Sequence, residues 1–415
     1  MAERREATAR PAVGQGPLKG ITVVDATVAL AGPFGTAVLA DLGANVIKIE
    51  APEGDMSRGT PPFTENYVSA RKGAGPDEID YGGYFASINR NKRSLCLDLK
   101  NPAERDVVLE LCDQADVFVE NLRNGVMDRL GVGYETLKAR NPKLVYGALR
   151  GFGDERTGRS PYTDRPAFDI VAQSMGGLVS ITGEEGGLGV PCGSSVGDIY
   201  PGTLLALGIV SAVVHAQRTG EGQFFDVAMY DSILLLAETV IANYGFAGNS
   251  LEPRGAHHPL LCPFGVFPAA DGGIAIAAPR PNQWEFLCEV IGRPDLVADD
   301  RTKNTLVRRK NQQLVEGVIA EWSSLRTRAE VVAALAGQVP CGPVNTAADI
   351  FVDPHVAVRE MITELPVAGA DGNAAIVGCP LKFTQTPSGY YRPPPKLDEH
   401  RSEILAEFGI KDPRP

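Results

Sequence analysis

The acidic residues of one glycine-rich segment are the strongest chemical signal in this chain. Residues 168–226 contain four isolated acids, Asp169, Glu184, Glu185 and Asp198, among closely spaced glycines. Glycine lets the backbone approach a ligand without an intervening side chain, so carboxylates in such a segment can face a bound molecule. The segment therefore predicts a ligand site that carries carboxylates.

Basic and polar residues follow the ends of several predicted strands in the first half of the chain. The segments are residues 25–33, 89–94, 120–129 and 149–153. In an open parallel sheet, ligands bind beyond the carboxyl ends of the strands, where helix N-termini favour anions. Each basic residue alone is typical of a solvated surface charge. Together the segments predict a phosphorylated ligand.

The overall composition is that of a soluble globular protein. Of the 415 residues, 44% are hydrophobic and 22% are charged. The net charge of −11 argues against a nucleic-acid partner, because phosphate binding needs a positive field. The longest apolar run, residues 204–214, is well below the roughly 20 residues that cross a bilayer, so no membrane span is predicted.

The cysteines and histidines predict no metal site. Seven cysteines are scattered singly, without the paired spacings of zinc or redox sites, which favours reduced thiols in a cytoplasmic protein. His257 and His258 are adjacent, and their side chains diverge in most backbone conformations. The sequence leaves their role open between a surface loop and a lid.

The elements that must position these residues alternate between strand and helix. Residues 21–25, 33–42 and 46–50 predict a βαβ unit, and the alternation continues to residue 149. This pattern predicts an α/β fold with a parallel sheet flanked by helices.

A change of pattern after residue 202 predicts a second domain. Two long apolar helical patterns precede a hairpin at residues 265–278, and three further helical patterns follow it. We expect a disordered tail, the first part of a large domain, a small domain with linker helices, and a return to the large domain. The expected bounds are residues 1–17, 18–222, 223–340 and 341–415.

Several longer motifs are spread over nearly the whole chain. They include LAGPFGTAVLADLGANVIKIEAPEGD, NRNKRSLCLDLKNP, VFVENLRNGVMDRLG, FDIVAQSMGG, GDIYPG and TGEGQFFDVAMYDS. In sequence and in order they resemble the family III CoA-transferases, the group that includes formyl-CoA and carnitine-CoA transferases. The resemblance implies a Rossmann-like large domain that binds CoA, a smaller α+β domain, and an interlocked dimer.

The resemblance also implies the reaction. In this family an acyl-CoA reacts with an enzyme aspartate to give a mixed anhydride, and CoA then attacks to leave an aspartyl-CoA thioester. A second carboxylic acid takes the CoA by the reverse steps. An aspartate suits this role because its ordinary pKa of roughly 3.9 leaves it ionised at neutral pH. The expected partners are an acyl-CoA, a carboxylic acid, and an identical or paralogous second chain, with no metal.

Five residues match family positions that hold the nucleotide or approach the thioester. They are Lys92, Asn121, Leu122, Arg129 and Arg150. Arg150 stands where other members carry Lys or Ser. A guanidinium there could clamp a second carboxylate on the acyl group, which favours a dicarboxylic substrate.

The position of the nucleophile departs from the family pattern. In the family the aspartate lies in a segment resembling TGxxDGPP, and an ungapped alignment places Gly186 there. Glu185, one residue earlier, offers the same carboxylate on a longer stem and is the preferred candidate. Gly186 also motivates an alternative function, a non-catalytic CoA-binding subunit that pairs with an active paralogue.

Asp169 is the second catalytic candidate. It precedes an apparent helix at residues 170–175, so a helix N-cap and a catalytic role both remain open. In the related racemase branch a histidine directly precedes this aspartate, whereas this chain has Phe168. Racemisation needs two proton-transfer groups, so a 2-methylacyl-CoA racemase is the least favoured function. Asp198, in the GDIYPG motif, is expected to be structural.

Overall fold

The computed structural model describes residues 15–63, 81–366 and 373–414. These residues form two compact units. The large unit contains the described residues up to Gly176, then residues 193–236 and the chain from Pro354 onward. The small unit contains Gly177–Cys192 and Ala237–Asp353.

The described residues form eleven strands. They are β1 (Thr22–Ala26), β2 (Asn45–Glu50), β3 (Arg93–Cys96), β4 (Val117–Glu120), β5 (Val145–Arg150), β6 (Phe224–Ala228), β7 (Phe264–Ala269), β8 (Gly272–Ala277), β9 (Cys341–Pro343), β10 (Ile362–Pro366) and β11 (Asn373–Val377).

The described residues also form seventeen α-helices. In the first half of the chain they are α1 (Ala31–Asp41), α2 (Gly83–Asn89), α3 (Pro102–Gln114), α4 (Val126–Arg129), α5 (Tyr134–Arg140), α6 (Asp169–Met175) and α7 (Val196–Thr219). In the second half they are α8 (Met229–Leu236), α9 (Glu238–Ala247), α10 (Pro281–Val290), α11 (Asp295–Ala298), α12 (Thr305–Lys310), α13 (Gln312–Ser323), α14 (Arg328–Leu335), α15 (Ala347–Val352), α16 (Pro354–Val358) and α17 (Arg401–Phe408). Short 3₁₀ turns lie at Met56–Gly59 and Val179–Ile181.

The large unit is built on a six-stranded sheet in which every neighbouring pair of strands is parallel. The strand order is β3-β2-β1-β4-β5-β6. This is the Rossmann order, in which the chain reverses direction across the sheet between β1 and β4 and leaves a crevice beyond their carboxyl ends. The predicted α/β, Rossmann-like fold is confirmed.

The helix α7 lies in the core of the large unit. Leu205, Ile209 and Ala212 are buried on it. A Cβ added to Gly35 of α1 would lie 2.5 Å from the carbonyl oxygen of Gly202 on α7, so the two helices pack backbone to backbone. By length and composition α7 could cross a membrane, although buried core helices of soluble proteins meet the same criteria. One face of α7 is packed within the large unit, and other apolar side chains such as Leu207 and Val214 are exposed.

The small unit combines a three-stranded antiparallel sheet with helices. The sheet order is β7-β8-β9, and β7 and β8 form the hairpin expected near residues 265–278. Its inner face packs Phe267, Ile274 and Ile276 against Trp284 and Leu287 of α10. Mixed helices and antiparallel strands match the predicted α+β character of this unit.

The boundaries between the two compact units differ from the expected domain bounds. β6 pairs with β5 over Tyr146–Arg150, so the sheet of the large unit continues past residue 223. The large unit resumes at Pro354 rather than at residue 341, because β9 completes the small sheet. The predicted tail lies mostly outside the described residues.

A network of buried charges joins the strands β1, β2 and β3. The fully buried Asp25, on β1, accepts hydrogen bonds from the side chains of Thr36 and Lys92 at 2.7 and 3.0 Å. Lys48 Nζ, on β2, donates to the Thr27 carbonyl at 2.9 Å and to Asp55 at 2.8 Å. Lys48 and Lys92 thus hold the segment between β1 and α1 through hydrogen bonds to the Thr27 and Pro33 carbonyls.

The charges of the two lysines hold the pKa of Asp25 well below its ordinary value. Burial alone would raise its pKa, but Lys92 and Lys48, with two threonine hydroxyls, lower it to about 2. Burial lowers the pKa of Lys92 to about 8, and the charge of Lys48 adds to that effect. Lys92 therefore bears a desolvation cost that its contact with Asp25 offsets only in part.

Replacing Lys92 with Met should destabilise the protein strongly. The change leaves the buried Asp25 carboxylate without one of its two ammonium neighbours, and breaking a buried ion pair from one side costs about 3–5 kcal/mol. Thermal unfolding followed by circular dichroism measures the effect. K303M is the matched control, because the Lys303 side chain is 57% exposed. If both variants melt alike, the structural role of Lys92 is wrong.

Candidate active site

One side-chain amide joins the segments that follow β1 and β4. Asn121 Oδ1 accepts from the Val28 N–H at 2.8 Å, and Asn121 Nδ2 donates to the Val28 carbonyl at 2.8 Å. This two-bond contact ties the end of β4 to the segment that follows β1. The adjacent Ala29 has a φ of 66°, a strained value for a residue with a Cβ, and its N–H donates to Asp55. Asn121 therefore shapes the crevice.

Lys92 is not available to a ligand, which corrects the prediction that it contacts the nucleotide. Its side chain is fully buried, and its ammonium donates to Asp25, to the Pro33 carbonyl and to Asn89 at 2.9–3.0 Å. These contacts use all three protons of the group. Lys92 therefore holds the segment between β1 and α1 in place, and its ammonium does not face the ligand site.

Arg150 is also occupied, which corrects the prediction that it clamps an acyl carboxylate. Its guanidinium binds both carboxylate oxygens of Glu120, and its Nε donates to Asn124 at 3.0 Å. A further contact reaches Asp154 at 3.3 Å, and the side chain is 6% exposed. The paired fork of Glu120 and Arg150 joins β4 to β5 instead.

The other predicted CoA contacts lie just beyond β4. The Leu122 N–H donates to Glu120 at 2.8 Å, and the Leu122 side chain packs against the core of the large unit. Arg123 and Arg129 are exposed, and within the part of the chain that the structure describes no hydrogen bond or ion pair holds either guanidinium. Arg129 lies over Gly125, whose φ is 72°. Both arginines are therefore accessible to a phosphate.

Asp169 is held by two donors at the start of α6. Its Oδ1 accepts from the Gly197 N–H at 2.7 Å and from Gln173 Nε2 at 2.9 Å, and its Oδ2 accepts from the same Gln173 amide at 2.9 Å. A Cβ added to Gly197 would lie 2.8 Å from Oδ1, so only glycine allows this approach. The N-cap is Phe168 and Asp169 is the first helical residue, which corrects the N-cap interpretation.

Asp198 places a second carboxyl group next to this arrangement. It follows Gly197 in the first turn of α7, and burial, together with the charge of Asp169, raises its pKa to about 6. Tyr84 of α2 also experiences both charges, since burial and then Asp198 and Asp169 raise its pKa. The part of the chain that the structure describes offers the Asp198 carboxyl no hydrogen bond.

Glu185 belongs to the small unit. Its side chain is 63% exposed and forms an ion pair with Arg254 Nη1 at 2.6 Å. The neighbouring Gly186, which occupies the expected aspartate position, has a φ of 75° in open space. The two predicted catalytic carboxylates thus belong to different units, and Asp169 is the one with a defined set of hydrogen bonds from backbone and amide donors.

Sequence reasoning missed Gln173 and Tyr84 as neighbours of the acids. Gln173 lies four residues after Asp169, a spacing that places both side chains on one helix face and could have indicated the contact. Tyr84 carried no such signal. Within residues 15–63, 81–366 and 373–414, no group of three or more His, Cys, Asp or Glu side chains is arranged to hold a metal ion.

Comparison with known sequences gives a consistent picture. The model of CoA-transferase family III matches residues 18–401. A succinyl-CoA:mesaconate CoA-transferase of Haloarcula hispanica is 44% identical over 395 residues, which cover 95% of this chain and 97% of the relative. A succinate–glutarate CoA-transferase of Agrobacterium fabrum is 36% identical over 397 residues, which cover 94% of this chain and 96% of the relative.

The fold is also similar to that of a solved structure. A CAIB/BAIF family protein from Brucella suis superposes with a TM-score of 0.80 at 33% sequence identity. The match covers 95% of this chain and 99% of the other. Sequence and structure comparisons therefore agree over nearly the whole chain.

Replacing Asp198 with Asn should stabilise the protein at pH 7.5 but not at pH 4. The folded-state pKa of about 6 exceeds the ordinary 3.8, so the native state binds this proton more tightly and loses stability as the pH rises from about 4 to 6. Asn removes a penalty of about 1–2 kcal/mol, discounted for partial exposure.

Melting temperatures at both pH values measure this difference. D300N is the control, since the Asp300 side chain is 94% exposed. We expect a rise of a few degrees for D198N at pH 7.5 and none for D300N. A D198N variant that gains as much at pH 4 as at pH 7.5 would contradict an ionisation penalty.

Proposed function

The chain belongs to CoA-transferase family III, and on this premise we propose that Asp169 is the nucleophile with which it moves CoA between carboxylic acids. CoA transfer from an acyl-CoA to a carboxylic acid is the activity of its relatives and of this enzyme. The observation that carries the assignment is the fixed, partly exposed Asp169 carboxylate beside Gly197 and Gln173.

The hydrogen bonds of Asp169 suit a nucleophile. The Gly197 N–H and the Gln173 amide orient the carboxylate, and the side chain is only partly buried, so a thioester can approach. Oδ1 accepts two bonds and Oδ2 accepts one, which makes Oδ2 the less engaged oxygen. Preorganisation of this kind lowers the entropy cost of reaching the reactive geometry.

The proposed reaction conserves the thioester bond energy. An Asp169 oxygen attacks the acyl carbonyl carbon, the C–S bond breaks, and CoA leaves as a thiolate with the electron pair. The thiolate then attacks the Asp169 carbonyl carbon of the anhydride, and the donor acid leaves as a carboxylate. The acceptor carboxylate attacks the aspartyl-CoA thioester, and the same steps run in reverse to regenerate Asp169.

The CoA moiety is proposed to lie in the crevice of the large unit. Asn121 shapes the crevice, and the exposed guanidinium of Arg129 can pair with a phosphate of CoA, as Arg123 can. Leu122 contributes its backbone position at the end of β4. An Arg–phosphate contact is charge-assisted and gives the nucleotide a fixed orientation.

The substrates are proposed to be dicarboxylic acids. Two relatives are named for succinyl-CoA with mesaconate and for succinate with glutarate, and succinate, mesaconate and glutarate are all dicarboxylic acids. The argument from Arg150 no longer supports this substrate class, since Glu120 occupies that guanidinium. The names of the relatives are the support that remains.

The alternative functions lose their motivation. The non-catalytic subunit was suggested by Gly186, and a nucleophile at Asp169 removes that reason. The racemase needs a second proton-transfer group on the other face, and Phe168 occupies the position of its histidine with 70% of the side chain exposed.

We also infer a second chain and a reducing compartment. Leu207 and Val214 of α7 are exposed apolar side chains on the large unit, which suits burial against an identical or paralogous chain. Among the described residues, six cysteines form no disulfide, which is typical of cytoplasmic proteins; they are Cys96, Cys112, Cys262, Cys288, Cys341 and Cys379.

Replacing Asp169 with Ala should abolish CoA transfer. Removing a covalent nucleophile leaves no acyl-enzyme, so the rate should fall by at least about 1,000-fold. Incubation with acyl-CoA and hydroxylamine should modify the wild-type peptide that contains Asp169, as read by mass spectrometry. E185Q is the matched control and should keep activity and the same modified peptide. A modified Glu185, with D169A still active, would reverse the assignment.

Acceptor specificity tests the substrate class. With succinyl-CoA as donor, we expect kcat/KM for mesaconate or glutarate to exceed that for propionate or butyrate by at least tenfold, because a second carboxylate can gain a charge-assisted contact. Formation of the new CoA ester is measured by liquid chromatography. Equal values for the two classes of acid would reject a dicarboxylate preference without affecting the role of Asp169.

A further inference from the structure

The small unit carries a basic cavity that the proposed reaction leaves without a role. The cavity has a volume of about 750 Å³, and its charged lining residues are Arg254, Arg301, Arg309, Lys310 and Glu185. Four cations and one acid therefore line it, in a chain whose net charge is −11. Such a local excess of positive charge attracts small anions.

Two of these cations have no acidic partner in the described part of the chain. Arg301 pairs with Asp299 at 2.7 Å, outside the lining. Arg309 Nε donates to the Pro259 carbonyl at 2.9 Å, and neither Arg309 nor Lys310 forms an ion pair with a described carboxylate. Glu316 lies near enough to interact with the charge of Arg309 but does not form an ion pair with it, and burial raises the pKa of this acid.

The remaining cation, Arg254, is held by an exchangeable partner. The side chains of Glu185 and Arg254 are 63% and 30% exposed, and ion pairs of this kind contribute only about 0–1 kcal/mol. Glu185 lies in a loop in which Gly183, Gly186 and Gly189 have positive φ values. The Gly255 N–H donates to the Gly183 carbonyl at 2.7 Å, which keeps the base of this loop beside Arg254.

The start of α13 adds to the positive potential. Gln312 and Gln313, its first two residues, line the cavity. The N–H groups of a first helical turn have no partner within the helix, and this helix has no acid in that turn. Asn311 donates from its side chain to the Arg301 and Val307 carbonyls, which fixes the loop before the helix.

We propose that this cavity binds a small dianion, a phosphate or a dicarboxylate, and that Glu185 occupies Arg254 as an internal competitor until the anion displaces it. The guanidinium groups of Arg254 and Arg309 match the planar geometry of two oxygen acceptors, and Lys310 adds a point charge. The role of Glu185 is then to weaken anion binding.

Isothermal titration of the full-length protein with inorganic phosphate and with succinate tests the proposal. Wild type should bind at least one probe saturably, and E185Q should bind it roughly three- to fivefold more tightly because the competing carboxylate is gone. The R254A/K310A double variant should bind at least tenfold more weakly. Whether phosphate or succinate binds better identifies which kind of anion the cavity takes.

The controls separate this cavity from the CoA site. R129A removes an arginine proposed for CoA and should leave probe binding by the cavity unchanged, whatever the fate of the proposed function. K310E, at an exposed side chain, provides a second loss variant if R254A/K310A does not fold. Absence of saturable binding by wild type and E185Q up to about 20 mM would overturn the proposal, as would loss of binding in R129A but not in R254A/K310A.

Discussion

A fully buried carboxylate between two lysine side chains sets the geometry of the ligand-facing edge. Removing an ion from water costs several kcal/mol, so the contact of Asp25 with Lys92 is tolerated only because every donor and acceptor in it is satisfied. The charge of Lys48 also acts on Asp25, and the Lys48 ammonium donates to the Thr27 carbonyl and to Asp55. The consequence is a single conformation for the segment between β1 and α1, including the left-handed Ala29.

That constraint passes from β1 to β4 through Asn121. Its amide pairs with both backbone groups of Val28, so the ends of the two strands that flank the switch point hold each other in place. On the other side of β4, the ion pair of Glu120 with Arg150 holds the end of β4 to the end of β5. The buried charges of this part of the large unit thus have partners within the protein. The exposed Arg123 and Arg129, beyond β4, remain accessible to a phosphate.

The sequence predicted the fold better than the site, and the reason is the range of the contacts. Alternating strand and helix patterns are local, so they identified the parallel sheet. Lys92 and Arg150 looked like ligand contacts because their partners are distant: Asp25 lies 67 residues from Lys92, and Glu120 lies 30 from Arg150. No local pattern shows which basic residue will be buried against such a partner.

The candidate nucleophile illustrates the same limit. Its neighbour Gln173 lies one helical turn away, a spacing that can indicate the contact, whereas Gly197 lies 28 residues away and gives no such signal. Alignment by motif favoured Glu185, a loop residue held by one exposed ion pair. We propose Asp169 over Glu185 because backbone and amide donors orient its partly exposed carboxylate, whereas one exposed ion pair holds Glu185.

The proposed mechanism gives a chemical purpose to the carboxyl of Asp198 next to Asp169. Two like charges in a half-buried site repel each other, and burial together with this repulsion raises the pKa of Asp198. In the proposed mechanism Asp169 loses its charge on acylation, so the repulsion is present in the free enzyme and relieved as the anhydride forms. An interaction that is less unfavourable in the transition state than in the ground state accelerates the step. In this mechanism, the ionised Asp198 lowers the stability of the folded protein and accelerates the first acyl transfer.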